Sequence, residues 1–270
     1  MPVRPDMPLL IILVYAFIAF VGVLVLTPWF VRFLKTNKIG KQLRVEAIDG
    51  REATVFRTYH ESKIGTPTMG GVLIWGGILF TVLFSRFLSL TGVVEDSILK
   101  RGQVYLPLFM LVTLGILGAI DDYMNIRGIG RTKGLDFMPK LLSLLLISSA
   151  GAWWFFTKLG YDSIYIPFHG SVEVGWWYIP IFIFIIIATA NAVNFTDGLD
   201  GLAGGLLVIA FGAFGVLAYM KGLTILATFC AVSVGAIAAF LWHNVPPAMF
   251  FSRSFKRFLT WAKVISIFWR

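Results

Sequence analysis

A single cysteine, Cys230, excludes any intramolecular disulfide, and its place inside a long apolar run makes it a small packing residue. Charge is almost as scarce. Only 14% of residues are Asp, Glu, Lys or Arg, against 58% hydrophobic, a balance that excludes an ordinary soluble domain. With 3 His and 1 Cys, the chain has no Cys/His cluster of the kind that holds zinc. The apolar residues do not fall into the amphipathic stripes of globular helices. No internal repeat is visible, which weighs against the inverted-repeat architecture of secondary transporters.

Long apolar runs are there instead. A run of about 18 residues or more crosses a hydrocarbon core of roughly 30 Å as a helix. Seven such spans are predicted, at 8–30, 70–90, 105–120, 141–157, 176–193, 202–219 and 223–242. The expected fold is an all-α polytopic membrane protein. The first span is too long for a cleaved signal peptide and has no small-residue cleavage site. Between the fourth and fifth spans, Ser163-Ile164-Tyr165-Ile166 and Ser171-Val172-Glu173-Val174 alternate around His169-Gly170. That predicts a small hairpin at 163–174. Trp153, Trp154, Trp176, Trp177 and Tyr178 suit an interfacial aromatic belt. After the seventh span, Phe251, Phe255, Phe258, Ala262, Ile265 and Trp269 lie opposite Arg253, Lys256, Arg257 and Lys263. This spacing predicts a basic amphipathic helix lying on the membrane surface.

The formal net charge of +9 could suggest nucleic acid, but its distribution points to topology, and no nucleic-acid partner is expected. Lys and Arg crowd the loops after spans one and three and the tail, while the alternate loops carry few. By the positive-inside rule the basic loops are cytoplasmic and the N-terminus is outside. The acids of the third and fifth span ends then face the cytoplasm as well.

Those acids carry the chemistry. Asn191, Asn194, Asp197 and Asp200 recur every three residues between two apolar runs, as a polar stripe running into Asp-Gly turns. Carboxylates at the edge of a span are costly, so their default reading is functional. Asp121-Asp122 closes the third span, and adjacent helical residues point about 100° apart, so the two do not form a face-to-face dyad. Hard oxygen donors without Cys or His point to Mg²⁺ or Mn²⁺ shared with substrate phosphates. Lys63, Thr66 and Thr68, with Gly65, Gly70 and Gly71, offer cation, hydroxyl and backbone donors to an anion. Lys133 and Lys140 are further cations after the third span.

Three motifs in this order resemble the polyprenyl-phosphate N-acetylhexosamine-1-phosphate transferases. They are Lys63-x-Gly65-Thr66-Pro67-Thr68-Met69-Gly70-Gly71, Asp121-Asp122-Tyr123, and Asn191-x-x-Asn194-x-x-Asp197-Gly198-Leu199-Asp200-Gly201-Leu202-Ala203. The first is most similar to the branch that handles phospho-MurNAc-pentapeptide, and the resemblance covers residues 1–248 as a transferase-like helical domain. It implies Mg²⁺-dependent transfer of phospho-MurNAc-pentapeptide from UDP-MurNAc-pentapeptide to undecaprenyl phosphate, giving the first lipid-linked peptidoglycan precursor and UMP. It also implies a multi-pass homodimer among the lipids of the bacterial plasma (inner) membrane, with a cytoplasmic site. In that setting Asp121, Asp122, Asp197 and Asp200 are the catalytic candidates, the first two also as metal ligands. Lys63, Thr66, Thr68, Asn191, Asn194, Lys133 and Lys140 are the substrate-binding candidates.

The chain departs from that family in two places. Asn125 stands where the family often has Lys. After Pro246-Pro247-Ala248 the family continues Phe-Met-Gly-Asp-x-Gly-Ser, whereas this chain reads Met249-Phe250-Phe251-Ser252-Arg253-Ser254. The Asp of that motif, a metal ligand of the family, is missing, as are three further spans. Residues 249–270 are therefore expected to be a non-family tail from a truncated or frameshifted reading frame, leaving the metal site short of a ligand. Two other functions are carried alongside. One is a sister transferase using UDP-GlcNAc, and the other is a non-enzymatic transporter with the four acids along an ion path. The acids sit at span ends rather than at the midplane, which disfavours the transporter.

Overall fold

The computed structural model describes residues 8–37, 39, 69–129, 135, 137–166, 169–196 and 201–244. Among them, seven helices are long and apolar enough to cross a membrane. These are α1 (Leu9–Thr36), α2 (Gly71–Leu90), α3 (Tyr105–Arg127), α4 (Phe137–Lys158), α5 (Tyr178–Thr196), α6 (Leu202–Met220) and α7 (Thr224–Asn244). The chain is an all-α polytopic membrane protein, as its apolar runs predict. The predicted tail helix at 249–270 lies outside the described residues.

Helices α1 and α3 run furthest past the ends that hydropathy alone predicts, by six and seven residues. Helix α1 continues past Phe30 through Arg32 and Lys35 to Thr36. Its 28 residues make a rod of roughly 42 Å, longer than the hydrocarbon core, so its basic end reaches the headgroups. Helix α3 continues past Ile120 to Arg127, which puts Asp121 and Asp122 inside the helix rather than at its end. It stops at Gly128, whose φ of 67° is left-handed. There Gly128 N–H donates to the Asn125 carbonyl at 3.3 Å and Ile129 N–H to that of Met124 at 2.9 Å, a Schellman closure.

The core is built around α7. It is apolar on all sides, and 78% of its most hydrophobic stretch is buried, whereas α1 is buried over 22%. Helices α1, α2 and α6 pack on it. Small residues set the closest approaches. A Cβ on Gly235 would strike the carbonyl oxygen of Ala16, and one on Gly215 would lie 3.3 Å from Cβ of the buried Cys230. Likewise Gly115 of α3 faces the Trp75 ring of α2, which a Cβ would meet at 2.9 Å. Helices α1 and α2 leave between them an apolar groove of about 610 Å³, lined by Gly22, Trp29, Phe33, Gly76 and Phe80 among others.

No water is available in a bilayer core, and several buried Ser and Thr hydroxyls bond within their own helix. Thr27 donates to the Val23 carbonyl at 2.6 Å, Thr228 to that of Thr224 at 2.8 Å, and Ser233 to that of Phe229 at 2.9 Å. Buried Ser85 of α2 donates to the Val82 carbonyl and accepts the Ile98 N–H at 3.2 Å, pinning the α2–α3 loop to the helix. The predicted hairpin is present as β1 (Ser163–Ile166) antiparallel to β2 (Gly170–Glu173), with Ser163 opposite Glu173. Gly170 turns it with a φ of 84°. Trp176 and Trp177 beside it are 67% and 73% exposed, where the bilayer interface is expected.

Candidate active site

Seven spans that alternate in direction bring one set of ends to the same side: the end of α1, the start of α2, the end of α3, the start of α4, the end of α5, the start of α6 and the end of α7. The polar residues singled out in the sequence lie at these ends or in the segments joining them.

Asp121 and Asp122 sit almost two turns before the end of α3 and are 3% and 1% exposed. They are thus interior carboxylates, not a solvated helix terminus. The Asp121 carboxylate reaches across to α4. Its Oδ1 accepts the Leu135 N–H at 2.7 Å, and its Oδ2 lies 3.2 Å from Lys140 Nζ. The Lys140 side chain remains 34% exposed while that of Asp121 is 4% exposed, so the pair has a buried anionic end and an accessible cationic end. One turn on from Asp121 lies buried Asn125. Arg127 stacks over the Tyr123 ring, 5.5 Å from its centre, adding a second cation at this end of α3.

Asn191 lies on α5, exposed, with its Nδ2 donating to the Ile187 carbonyl at 3.1 Å, and Asn194 follows on the same helix. The Asn194 side chain and residues Lys63, Thr66, Thr68, Lys133, Asp197 and Asp200 lie outside the described residues. The described part of the site therefore consists of Asp121, Asp122, Lys140 and Asn191, of which Asp121 and Lys140 are in direct contact.

Two features went unnoticed in the sequence. Asn244 closes α7, is 8% exposed, and among the described residues its Oδ1 finds no hydrogen-bond donor. A buried acceptor without a donor is costly, which marks it as a candidate ligand group. The available signal was an amide at the edge of an apolar span, the feature that singled out Asn191. Met69, at the entry to α2, holds a φ of 73°, a left-handed strain uncommon outside glycine.

Among the described residues no three His, Cys, Asp or Glu side chains group as a metal cage. Mg²⁺ does not need one, since one or two carboxylates with phosphate oxygens and water complete its octahedron. A carboxylate such as that of Asp122 is a hard oxygen donor of that kind, whereas both oxygens of Asp121 already meet the Leu135 N–H and Lys140.

Comparison with known proteins places this arrangement. A family profile described as "Glycosyl transferase family 4" matches residues 104–252, the stretch that holds the acid pair and the Asn/Asp stripe. The phospho-N-acetylmuramoyl-pentapeptide-transferase of Chloroflexus aurantiacus is 38% identical over 248 residues, covering 88% of this chain. The chain spans 62% of that relative's length. The protein of the same name from Geobacillus thermodenitrificans is 34% identical over 250 residues, which is 91% of this chain and 70% of the relative. That of Anoxybacillus flavithermus is 36% identical over 245 residues, with 89% and 69% covered. With the family profile matching more than half of its residues, the chain belongs to glycosyl transferase family 4, on the branch of the phospho-N-acetylmuramoyl-pentapeptide-transferases.

Proposed function

We propose that this protein transfers phospho-MurNAc-pentapeptide from UDP-MurNAc-pentapeptide to undecaprenyl phosphate, releasing UMP, at the cytoplasmic face of the bacterial inner membrane and as a homodimer. The observation that carries the reading is the buried Asp121–Asp122 pair at one end of a membrane span, joined to the half-exposed cation of Lys140. The names of the relatives and the motif order support the same substrates.

The reaction forms a bond from a lipid phosphate oxygen to the sugar-bearing phosphorus and breaks the bond from that phosphorus to UMP. A phosphomonoester has a second pKa of about 6, so the nucleophile is already largely ionised at neutral pH and a general base is optional. Lys140 presents an accessible ammonium to an incoming anion. Asn191 presents an exposed amide that can turn from its own helix to a sugar or base. Asp122, with Asp121 beside it, would hold Mg²⁺, which when bound offsets the charge developing on the departing nucleotide. Lys63, Thr66 and Thr68 belong to the phosphate side of this reading, and Asn194, Asp197 and Asp200 to the nucleotide-sugar side. Lys133 is a further candidate cation for the phosphates.

The test is UMP release by the purified protein in detergent. Release is expected only when UDP-MurNAc-pentapeptide, undecaprenyl phosphate and Mg²⁺ are all present, and EDTA is expected to stop it. Release supported by UDP-GlcNAc instead of the pentapeptide nucleotide, or no release at all, overturns the reading.

A further inference from the structure

Each carboxylate oxygen of Asp121 meets the chain that follows α3, and we infer that Asp121 is a positioning residue that fastens Lys140 and the α3–α4 connection, rather than a group that meets the reacting phosphates. This rests on reading the site as a phosphoryl-transfer centre and narrows the part of one residue in it.

Both Asp121 oxygens are engaged by the segment that follows α3. Oδ1 accepts the Leu135 N–H at 2.7 Å, two residues before α4 begins, and Oδ2 pairs with Lys140 at 3.2 Å. Lys140 sits in the first turn of α4, at the positive end of that helix's dipole, where a cation is disfavoured. An anion at the same place is favoured, and no acidic residue stands in the first turn of α4. Asp121 brings negative charge to that helix start from another helix. It thereby steadies a helix start and a lysine that its own helix would repel. Exposure gives the pair a direction: the carboxylate is 4% exposed and the lysine 34%, so an anion arriving from solvent meets the lysine. Asp122 projects from α3 about 100° further round.

The test begins without turnover. Amine-reactive labelling of Lys140, read by mass spectrometry, is combined with amide hydrogen exchange of the peptide containing Leu135. In Asp121→Asn the remaining side-chain oxygen can still accept the Leu135 N–H, so Lys140 is expected to label several-fold faster while Leu135 exchange holds. In Asp121→Ala both are expected to rise. Thr113→Ala, on the same helix but with its hydroxyl bonded to the Phe109 carbonyl, is expected to change neither, which separates the tie from general loosening of the fold. Unchanged Lys140 labelling in Asp121→Asn overturns the inference whether or not the protein turns over.

Turnover then reads the consequence. Asp121→Asn and Lys140→Met are each expected to raise KM for the nucleotide sugar by about tenfold, and the double variant by no more, as for two members of one network. Loss of kcat at unchanged KM in Asp121→Asn would make it a catalytic residue and overturn the inference. If labelling responds as expected but the parent protein releases no UMP, the tie stands and the transferase reading falls.

Discussion

A carboxylate buried to within a few per cent of complete exclusion persists only where neighbours hold it, and the neighbours of Asp121 lie on a different helix. Removal of either partner is therefore unequal in cost. Lys140→Met leaves an interior anion short of its cation, whereas Asp121→Asn leaves a lysine that solvent can already reach. Lys140→Met is expected to be the more destabilising of the two, by about 2 kcal/mol, as measured by denaturation in detergent. Equal effects would mean that the carboxylate is held chiefly by its other contacts. In the proposed reaction Asp122 is the carboxylate placed with the metal. Asp122→Asn is expected to lower kcat by roughly a hundredfold or more while detergent stability holds; unchanged turnover would remove it from the site. The acid pair and its lysine were each visible in the sequence, but their contact was not. It depends on how the chain returns after Gly128, and no local pattern encodes a pairing between Asp121 and Lys140.

At the scale of helices, hydropathy located every span but misplaced several ends, those of α1 and α3 most, for a physical reason. Apolar residues end where the hydrocarbon ends, while a helix ends where its backbone is capped. Helix α3 thus carries Asp121, Asp122 and Asn125 onward until Gly128 closes it, and α1 carries Arg32 and Lys35 outward. The hairpin was legible because alternation and a His-Gly turn are local signals. Helix–helix contact is less legible, since a glycine in an apolar run does not announce its partner. Gly235→Val is expected to force α7 away from Ala16 and to cost about 1–3 kcal/mol. Gly212→Val, at a position with open space beside it, is the matched control and is expected to be nearly neutral. Ser85→Ala strips the buried Ile98 N–H of its acceptor and is expected to cost about 1–3 kcal/mol, with the loss read by thermal denaturation in detergent.

The whole molecule offers a direct check of its orientation, because its one thiol, Cys230, is buried and 1% exposed. Single cysteines can be added without removing it. With an impermeant maleimide on intact spheroplasts, Ser171→Cys in the hairpin is expected to label, and Ile129→Cys only after permeabilisation. The reverse pattern would turn the protein over and move the acid pair to the outer face. The packing also has a consequence in time rather than space. The core is filled by α7, whose Gly235 rests against Ala16 of α1, so α1, although α2 joins it early, waits for α7 to cover the rest of its buried face. While the intervening helices are being made, α1 leaves uncovered the face around Ala16 and Phe20 that Gly235 of α7 later meets. A ribosome stalled before Thr224 would leave that face uncovered, and the partial chain would be a ready substrate for membrane quality control.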